Sequence, residues 1–210
     1  MNKKVSIIIP CFNGERFIDR CLHSIEIQNY PHIEVVVVND GSIDQSESKI
    51  LEWKEVLENK KISLIYIKQK NQGIGSAINT GLKYISGEYL LLLDIDDEYL
   101  QGALLERVQF LESHREMDVV RSNGWYVRKN GKACLFMMNV RKIFRMFLRH
   151  YWKGRQIIGL EVIWLECLPC LNFILKEKFI NQNMDKIYNC YCHCFTIKKC
   201  GFIDKTTYEL

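Results

Sequence analysis

Apolar residues along the first half of this chain recur in two alternating patterns. Val5–Ile9, Ile33–Val38, Ile62–Ile67 and Tyr89–Leu93 are short, nearly continuous apolar runs rich in β-branched residues and leucine, the pattern of strands buried on both faces. The stretches between them have helical spacing. Residues 15–29 place Phe17, Ile18, Cys21, Leu22 and Ile25 on one stripe. Residues 45–58 carry Ile50, Leu51, Trp53 and Leu57 on a polar background, and a third segment turns Ala77, Ile78, Leu82 and Ile85 inward before Gly87 stops it. Turn residues punctuate the series: Pro10 closes the first strand, Tyr30-Pro31 the first helix, and Asn39-Asp40-Gly41-Ser42 the second strand. Strands alternating with helices predict an α/β fold, a mostly parallel sheet flanked by helices and joined by right-handed crossovers.

After residue 100 the pattern loosens. Leu104–Leu111 has helical spacing, Val119–Arg128 reads as a strand, and Asn130-Gly131 as a hairpin turn leading to Ala133–Met138. Residues 140–155 predict an amphipathic helix whose stripe is Val140, Ile143, Phe144, Phe147, Leu148, Tyr151 and Trp152, surrounded by arginine and lysine with no acidic residue. Three uses stay open for that helix: packing on its own domain, lying on an anionic membrane surface, or meeting substrate phosphates. The chain divides into residues 1–100, which carry the regular alternation, and residues 101–210, which do not.

The chemistry gathers at the ends of the predicted strands. Leu90–Leu93 runs directly into Asp94-Ile95-Asp96-Asp97. Packing gives no reason to set three carboxylates behind a buried strand, since repulsion and desolvation both cost free energy. Helix capping accounts for one of them. A hard cation bridging to a phosphate accounts for the set, because Mg²⁺ or Mn²⁺ takes oxygen ligands and is often held by one or two carboxylates plus substrate phosphates. Asp40 reads either as a turn residue or as an acceptor for a base N–H, and its place on the same sheet edge favours the second. Asn13, Asp40 and Asp94–Asp97 all follow strand ends, where ligands of parallel sheets bind. Gly73-Ile74-Gly75 resembles part of a dinucleotide-binding loop, but position 78 is Ile where the third glycine would stand, which argues against a nicotinamide cofactor. The backbone at Gly73 remains suited to approach a phosphate or ribose.

Composition narrows the partners. The chain has 210 residues, 48% hydrophobic and 26% charged, with a net charge of +4, enough for a sizeable core and too little positive charge to argue for nucleic acid. The start of the chain does not read as a signal peptide, and no apolar run is long enough to span a bilayer. The expected location is the cytoplasm, and peripheral contact at the inner membrane surface is one of the open uses of the basic helix. Nine cysteines include Cys167-x-x-Cys170, Cys190-x-Cys192-His193-Cys194 and Cys200, a loose metal-ligand spacing that also fits buried thiols acting as small hydrophobes.

Four ordered segments carry a family resemblance: Val5-Ser-Ile-Ile-Ile-Pro-Cys-Phe-Asn13, Val38-Asn-Asp-Gly-Ser42, Asn71-Gln-Gly73 with Ala77-Ile-Asn79-Thr-Gly81, and Gly87-Glu-Tyr-Leu-Leu-Leu-Leu-Asp-Ile-Asp-Asp97. Their order and spacing resemble family 2 glycosyltransferases of the bacterial polysaccharide type. The resemblance implies a GT-A fold, with a Rossmann-like nucleotide-binding half and a variable acceptor half. It implies transfer of a sugar, of the hexosyl kind, from a nucleoside-diphosphate donor, a UDP-sugar first, to a glycan or lipid-linked acceptor, with Mg²⁺ or Mn²⁺ and inversion at the anomeric carbon. By position, Pro10, Phe12 and Asn13 would line the nucleoside pocket, Asp40 would hold the base, and Gly73 and Asn79 would border the donor. Asp94 would open the DxD pattern, Asp96 would meet the ribose, and Asp96 and Asp97 the metal. The chain departs from the family at Ala77-Ile78-Asn79, where a cation is usual in place of Ile78, and in lacking an evident Glu-Asp base motif. Glu161, Glu166, Asp185 and Asp204 are candidate bases, with Asp185 preferred. The family's members often run longer, so a truncated or impaired nucleotide-sugar-binding protein is the alternative expectation. A nucleotidyltransferase would share the sheet and metal logic, but no Gly- and Arg-rich loop follows the first strand.

Overall fold

The computed structural model describes residues 3–115, 119–122, 124–127, 133–136, 173–176 and 200–203. Its first half alternates as the apolar pattern requires: β1 (Val5–Cys11), α1 (Ile18–Glu26), β2 (Ile33–Asp40), α2 (Ser46–Asn59), β3 (Ser63–Gln69), α3 (Ile74–Gly81) and β4 (Tyr89–Leu92). Then come α4 (Ala103–Ser113), β5 (Val119–Ser122), β6 (Gly124–Val127), β7 (Ala133–Phe136), β8 (Phe173–Lys176) and β9 (Cys200–Ile203). Seven strands form one sheet in the order β3-β2-β1-β4-β8-β5-β9, and β6 pairs with β7 in a separate hairpin. Strands β1 to β4 are mutually parallel, β8 is antiparallel to both β4 and β5, and β9 runs parallel to β5. The fold is α/β, with a sheet whose first four strands are parallel, as the alternation predicts.

Side-chain alternation along each strand divides the core. Ile7, Ile9, Val35, Val37 and Leu91 meet α1, α2 and α4 through Ile18, Leu22, Ile25, Ile50, Leu57, Leu104 and Val108. Ile8, Val36, Val38 and Leu90 point to the other face, against Ala77 and Ile78 of α3 and Leu82 just after it. Every residue of β1 and β2 is buried, which is why these strands read as continuous apolar runs. A Cβ on Gly81 would lie 2.7 Å from Ile8 Cγ2, so the absent side chain lets α3 sit close on the sheet.

Two expectations need correction. The first strand does not end before Pro10 but continues to Cys11 in register with Asn39. Val5 N–H donates to His32 C=O on the β2 side, and Tyr89 N–H donates to Lys4 C=O on the β4 side. Odd residues of β1 therefore bond β2 and even residues bond β4. Pro10 lacks the N–H that would face β4. The β1–β4 ladder accordingly stops at Ile8↔Leu92, while β1–β2 continues. Second, Val119–Arg128 is not one strand. β5 joins the large sheet and buries Val120, whereas β6 leaves it, with Trp125 and Val127 exposed. Apolar spacing alone cannot separate one long strand from two short ones in different sheets. Helix 140–155, the cysteines at 167, 170, 190, 192 and 194, and the carboxylates Glu161, Glu166, Asp185 and Asp204 lie outside the described residues. Among the described residues no helix is long and apolar enough to cross a membrane.

Candidate active site

The strand order runs outward from β1 to β3 and then jumps back to place β4 on the other side of β1. That reversal opens a crevice at the carboxyl ends of β1 and β4, where parallel α/β sheets bind ligands.

The loop after β1 is latched to the loop after β2. Asn13 has a backbone φ of 51°, which asparagine tolerates better than most residues. Its N–H donates to Ser42 Oγ at 3.0 Å, and its Oδ1 accepts the Ile43 N–H at 3.0 Å. Gly14 N–H donates to Ser46 Oγ at 2.9 Å, Glu15 N–H to Asp44 Oδ2 at 3.1 Å, and Gln45 N–H to Glu15 Oε2 at 2.9 Å. Burial pushes the Asp44 carboxyl upward, but the donors from Ser46 and Glu15 outweigh it and hold the group below its ordinary value. Asn39 closes the turn, accepting the Ser42 N–H and donating to Tyr66 Oη.

Asp40 ends β2 and is buried. Its Oδ1 accepts Gln69 Nε2 at 2.7 Å and Gln72 N–H at 3.0 Å, and its Oδ2 accepts Gly73 N–H at 2.8 Å. The structure thus brings Asp40 and the glycine loop together. Gly41, at φ 76°, lets the backbone of Asn71 approach; a Cβ there would stand 2.8 Å from Asn71 N.

The third wall follows β4. Leu93 N–H donates to Ile8 C=O at 3.1 Å, and Asp97 N–H returns to Asp94 C=O at 3.0 Å, so the three aspartates lie on one tight turn. Gly14 packs on this turn, since a Cβ there would be 2.9 Å from Ile95 Cγ1. Helix α1 lies against it, with Cys21 Sγ 3.9 Å from Asp94 C=O. Beyond the turn, Ser24 Oγ accepts Tyr99 N–H and Gln28 Nε2 donates to Leu100 C=O, both at 3.0 Å. Asp94 and Asp97 are half-buried and Asp96 is exposed. Among the described residues no side chain donates a hydrogen bond to, or forms an ion pair with, any of the three carboxylates. Burial, and then Asp96, pushes the Asp94 carboxyl up to about 6. Burial, and then Asp94, Asp96 and Glu98, pushes Asp97 up to about 7.

This donor set fits a hard divalent cation. The ligands on offer are carboxylate oxygens, whose ionised form is disfavoured first by burial and then by the neighbouring carboxylates. Among the described residues no three His, Cys, Asp or Glu side chains are grouped around one point. The fit is therefore to an ion held by one or two carboxylates and completed by phosphate oxygens and water.

Of the sequence-predicted residues, Asn13, Asp40, Gly73, Asp94, Asp96 and Asp97 all stand on this edge. Phe12 leaves its ring half-exposed beside them, Pro10 is buried in β1, and Asn79 is half-buried on α3. Sequence reasoning missed Ser42, Asp44, Ser46 and Gln69, which join the loops. The spacing Asp44-x-Ser46 before a helix was a legible capping signal, whereas Gln69 carries none.

Comparison with known proteins places the arrangement among relatives. The family model described as Glycosyl transferase family 2 matches residues 6–199. Glycosyltransferase GlyA of Streptococcus pneumoniae serotype 4 is 41% identical over 97 residues, covering 46% of this chain and 13% of that protein. The S. aureus TarS 1-349 structure in complex with UDP superposes with a TM-score of 0.61 at 25% identity, covering 86% of this chain and 49% of that one. Mannosyltransferase PcManGT from Pyrobaculum calidifontis, solved with GDP-Man and Mn²⁺, gives a TM-score of 0.54 at 27% identity over 58% of this chain and 36% of that one. The chain spans between 13% and 36% of the length of the first curated relatives it matches.

Proposed function

The chain belongs to glycosyl transferase family 2, and on that premise we propose that it moves a sugar from a nucleoside-diphosphate donor to a glycan or lipid-linked acceptor, with inversion and with a divalent cation. One observation carries the reading. Three carboxylates share a turn at the switch point of a parallel sheet, and burial and mutual repulsion resist ionisation of two of them. A cation with a bound diphosphate would relieve that repulsion. A UDP-sugar is the first candidate donor, supported by the UDP complex of the TarS relative.

In this reading Phe12 offers its exposed ring to the base. The Asn13–Ser42 latch and the loop at Gly73 border the nucleoside and its phosphates, with Asn79 behind them on α3. Asp96 meets the ribose, Asp96 and Asp97 hold Mg²⁺ or Mn²⁺, and Asp94 supports the turn. When bound, the ion would neutralise the diphosphate as it leaves. The acceptor hydroxyl would give its proton to a carboxylate of the second half, for which Asp185 is the candidate.

Titration calorimetry of the chain with UDP, GDP and their sugars, with Mn²⁺ present, tests the reading. Micromolar binding that EDTA abolishes is expected. Failure to bind any of these nucleotides would overturn it, and donor binding without transfer or hydrolysis would restrict the chain to a binding role.

A further inference from the structure

Residues 93–102 form neither helix nor strand, yet their backbone polar groups need partners wherever water is excluded. Helix α1 supplies several through two polar side chains on its buried side. Ser24 and Gln28 stand about one turn apart and are 4% and 7% exposed. Ser24 Oγ donates to Cys21 C=O at 2.7 Å and accepts Tyr99 N–H at 3.0 Å. Gln28 Nε2 donates to Ser24 C=O at 2.8 Å and to Leu100 C=O at 3.0 Å, and its Oε1 accepts Leu104 N–H at 3.3 Å. Gly102 precedes α4 without a side chain to cap it, so Gln28 caps that helix from α1. The other end of the segment is tied to β1, where Leu93 N–H donates to Ile8 C=O. The aspartate turn lies between these two ties, closed by its own bond from Asp97 N–H to Asp94 C=O.

We propose that Ser24 and Gln28 are positioning residues, which fix the exit of the turn 94–97 and so hold its carboxylates in the arrangement a cation needs. Both act through backbone groups, at Tyr99, Leu100 and Leu104, and neither bonds a carboxylate of the turn. The anchor stands on its own geometry; its bearing on the cation rests on the nucleotide-sugar reading above. S24A removes the acceptor of Tyr99 N–H while putting the better helix former into α1. Q28M keeps the length of the side chain and removes the ties to Leu100 and Leu104.

Amide exchange in the metal-free full chain tests the anchor. S24A frees Tyr99 N–H directly; the decisive amide is Asp97, which neither variant touches. Its exchange should accelerate about tenfold in S24A and by a smaller factor in Q28M, with E34A, at the far end of the strands, as the control for general loss of stability. Electron paramagnetic resonance of Mn²⁺ with UDP, GDP or CDP should show binding weakened about tenfold in S24A, less in Q28M, and unchanged in folded E34A. In competition with Mn²⁺, Mg²⁺ should lose more affinity than Ca²⁺ in S24A, because the smaller ion demands the stricter geometry. Purely structural damage would lower the melting temperature and leave that ratio unchanged. Asp97 exchange in both variants no faster than in E34A overturns the anchor. Ion binding unchanged in both variants, or weakened equally in E34A, overturns the positioning role. A wild-type chain that binds Mn²⁺ with none of the nucleotides defeats the proposed function and the cation role with it, while Asp97 exchange still decides the anchor. Should S24A not fold, Q28M carries the same test.

Discussion

Asp94 and Asp97 bind protons that an unfolded chain would release. Their carboxyls sit at about 6 and about 7, against roughly 3.9 in a free chain. Between those limits the folded state holds more protons, so the stability from these groups falls as pH rises from about 4 to about 7. Asp19, bonded to Lys49 and Trp53, lies below its ordinary value, as does Glu34, where burial is outweighed by Lys4, Ser6 and Ser86. Their contribution is lost only as pH falls through about 4 and below, a separate window of opposite sign. Without metal, D97N should therefore be more stable than wild type at about pH 8, by on the order of 1–2 kcal/mol after solvent screening, and equal to it near pH 4. Urea unfolding at the two pH values measures this; a D97N protein no more stable than wild type at the higher pH would refute the charge argument. The sequence made the aspartate cluster legible because three charges behind four leucines have no packing explanation. It did not reveal that Asn13 Oδ1 and both oxygens of Asp40 are taken by neighbouring backbone. Residue type says what a group can bind, and only the fold decides which donors reach it.

At the level of elements, the first half was legible because burial on both faces leaves so plain a trace. Val35–Val38 can be little else than a central strand, and Cys21, Leu22 and Ile25 can be little else than a helix face. Pro10 was misread because proline punctuates in most contexts. Here the N–H it lacks faces a neighbour whose ladder has ended, so the strand continues on its other side. β8 inserts between β4 and β5 across a long sequence separation, a pairing that no local period encodes. A close contact between α3 and the sheet is equally silent in the sequence. Gly81 reads as an ordinary small residue, yet its Cα faces Ile8 at a distance that excludes a Cβ. G81A gains up to about 1 kcal/mol of helix propensity but forces α3 off the sheet, and overpacking of a close-packed core typically costs about 1–3 kcal/mol. A net loss of about 1–2 kcal/mol follows, measurable as a lowered denaturant midpoint. A midpoint at or above wild type would mean that α3 shifts freely.

Across the whole molecule the two ends of the parallel strands are chemically unlike. At the amino ends a buried carboxylate is fully engaged: Glu34 meets Ser6 Oγ, the backbone and hydroxyl of Ser86, and Lys4 Nζ. At the carboxyl ends Asp94 and Asp97 have no such partners among the described residues. The first arrangement stabilises the fold, and the second leaves charge to be met from outside. The two should therefore separate experimentally. E34A strands the Ser6 and Ser86 donors and should cost about 2–4 kcal/mol, yet it lies at the far end of the strands from the crevice. Its melting temperature should fall, while the rise produced by UDP with Mn²⁺ stays as large as in wild type. A ligand at a hundred times its dissociation constant adds about 2.7 kcal/mol whatever the starting stability. D97N should do the reverse, melting higher than wild type alone at about pH 8 and gaining little from the nucleotide and metal. In wild type the rise should also shrink as pH falls from about 8 to about 6, because a cation competes with protons for these carboxylates. Thermal melts of the three proteins with and without UDP and Mn²⁺ decide it. A ligand-induced rise lost in E34A, or kept in D97N and insensitive to pH, would place the charge-dependent site somewhere other than the turn after β4.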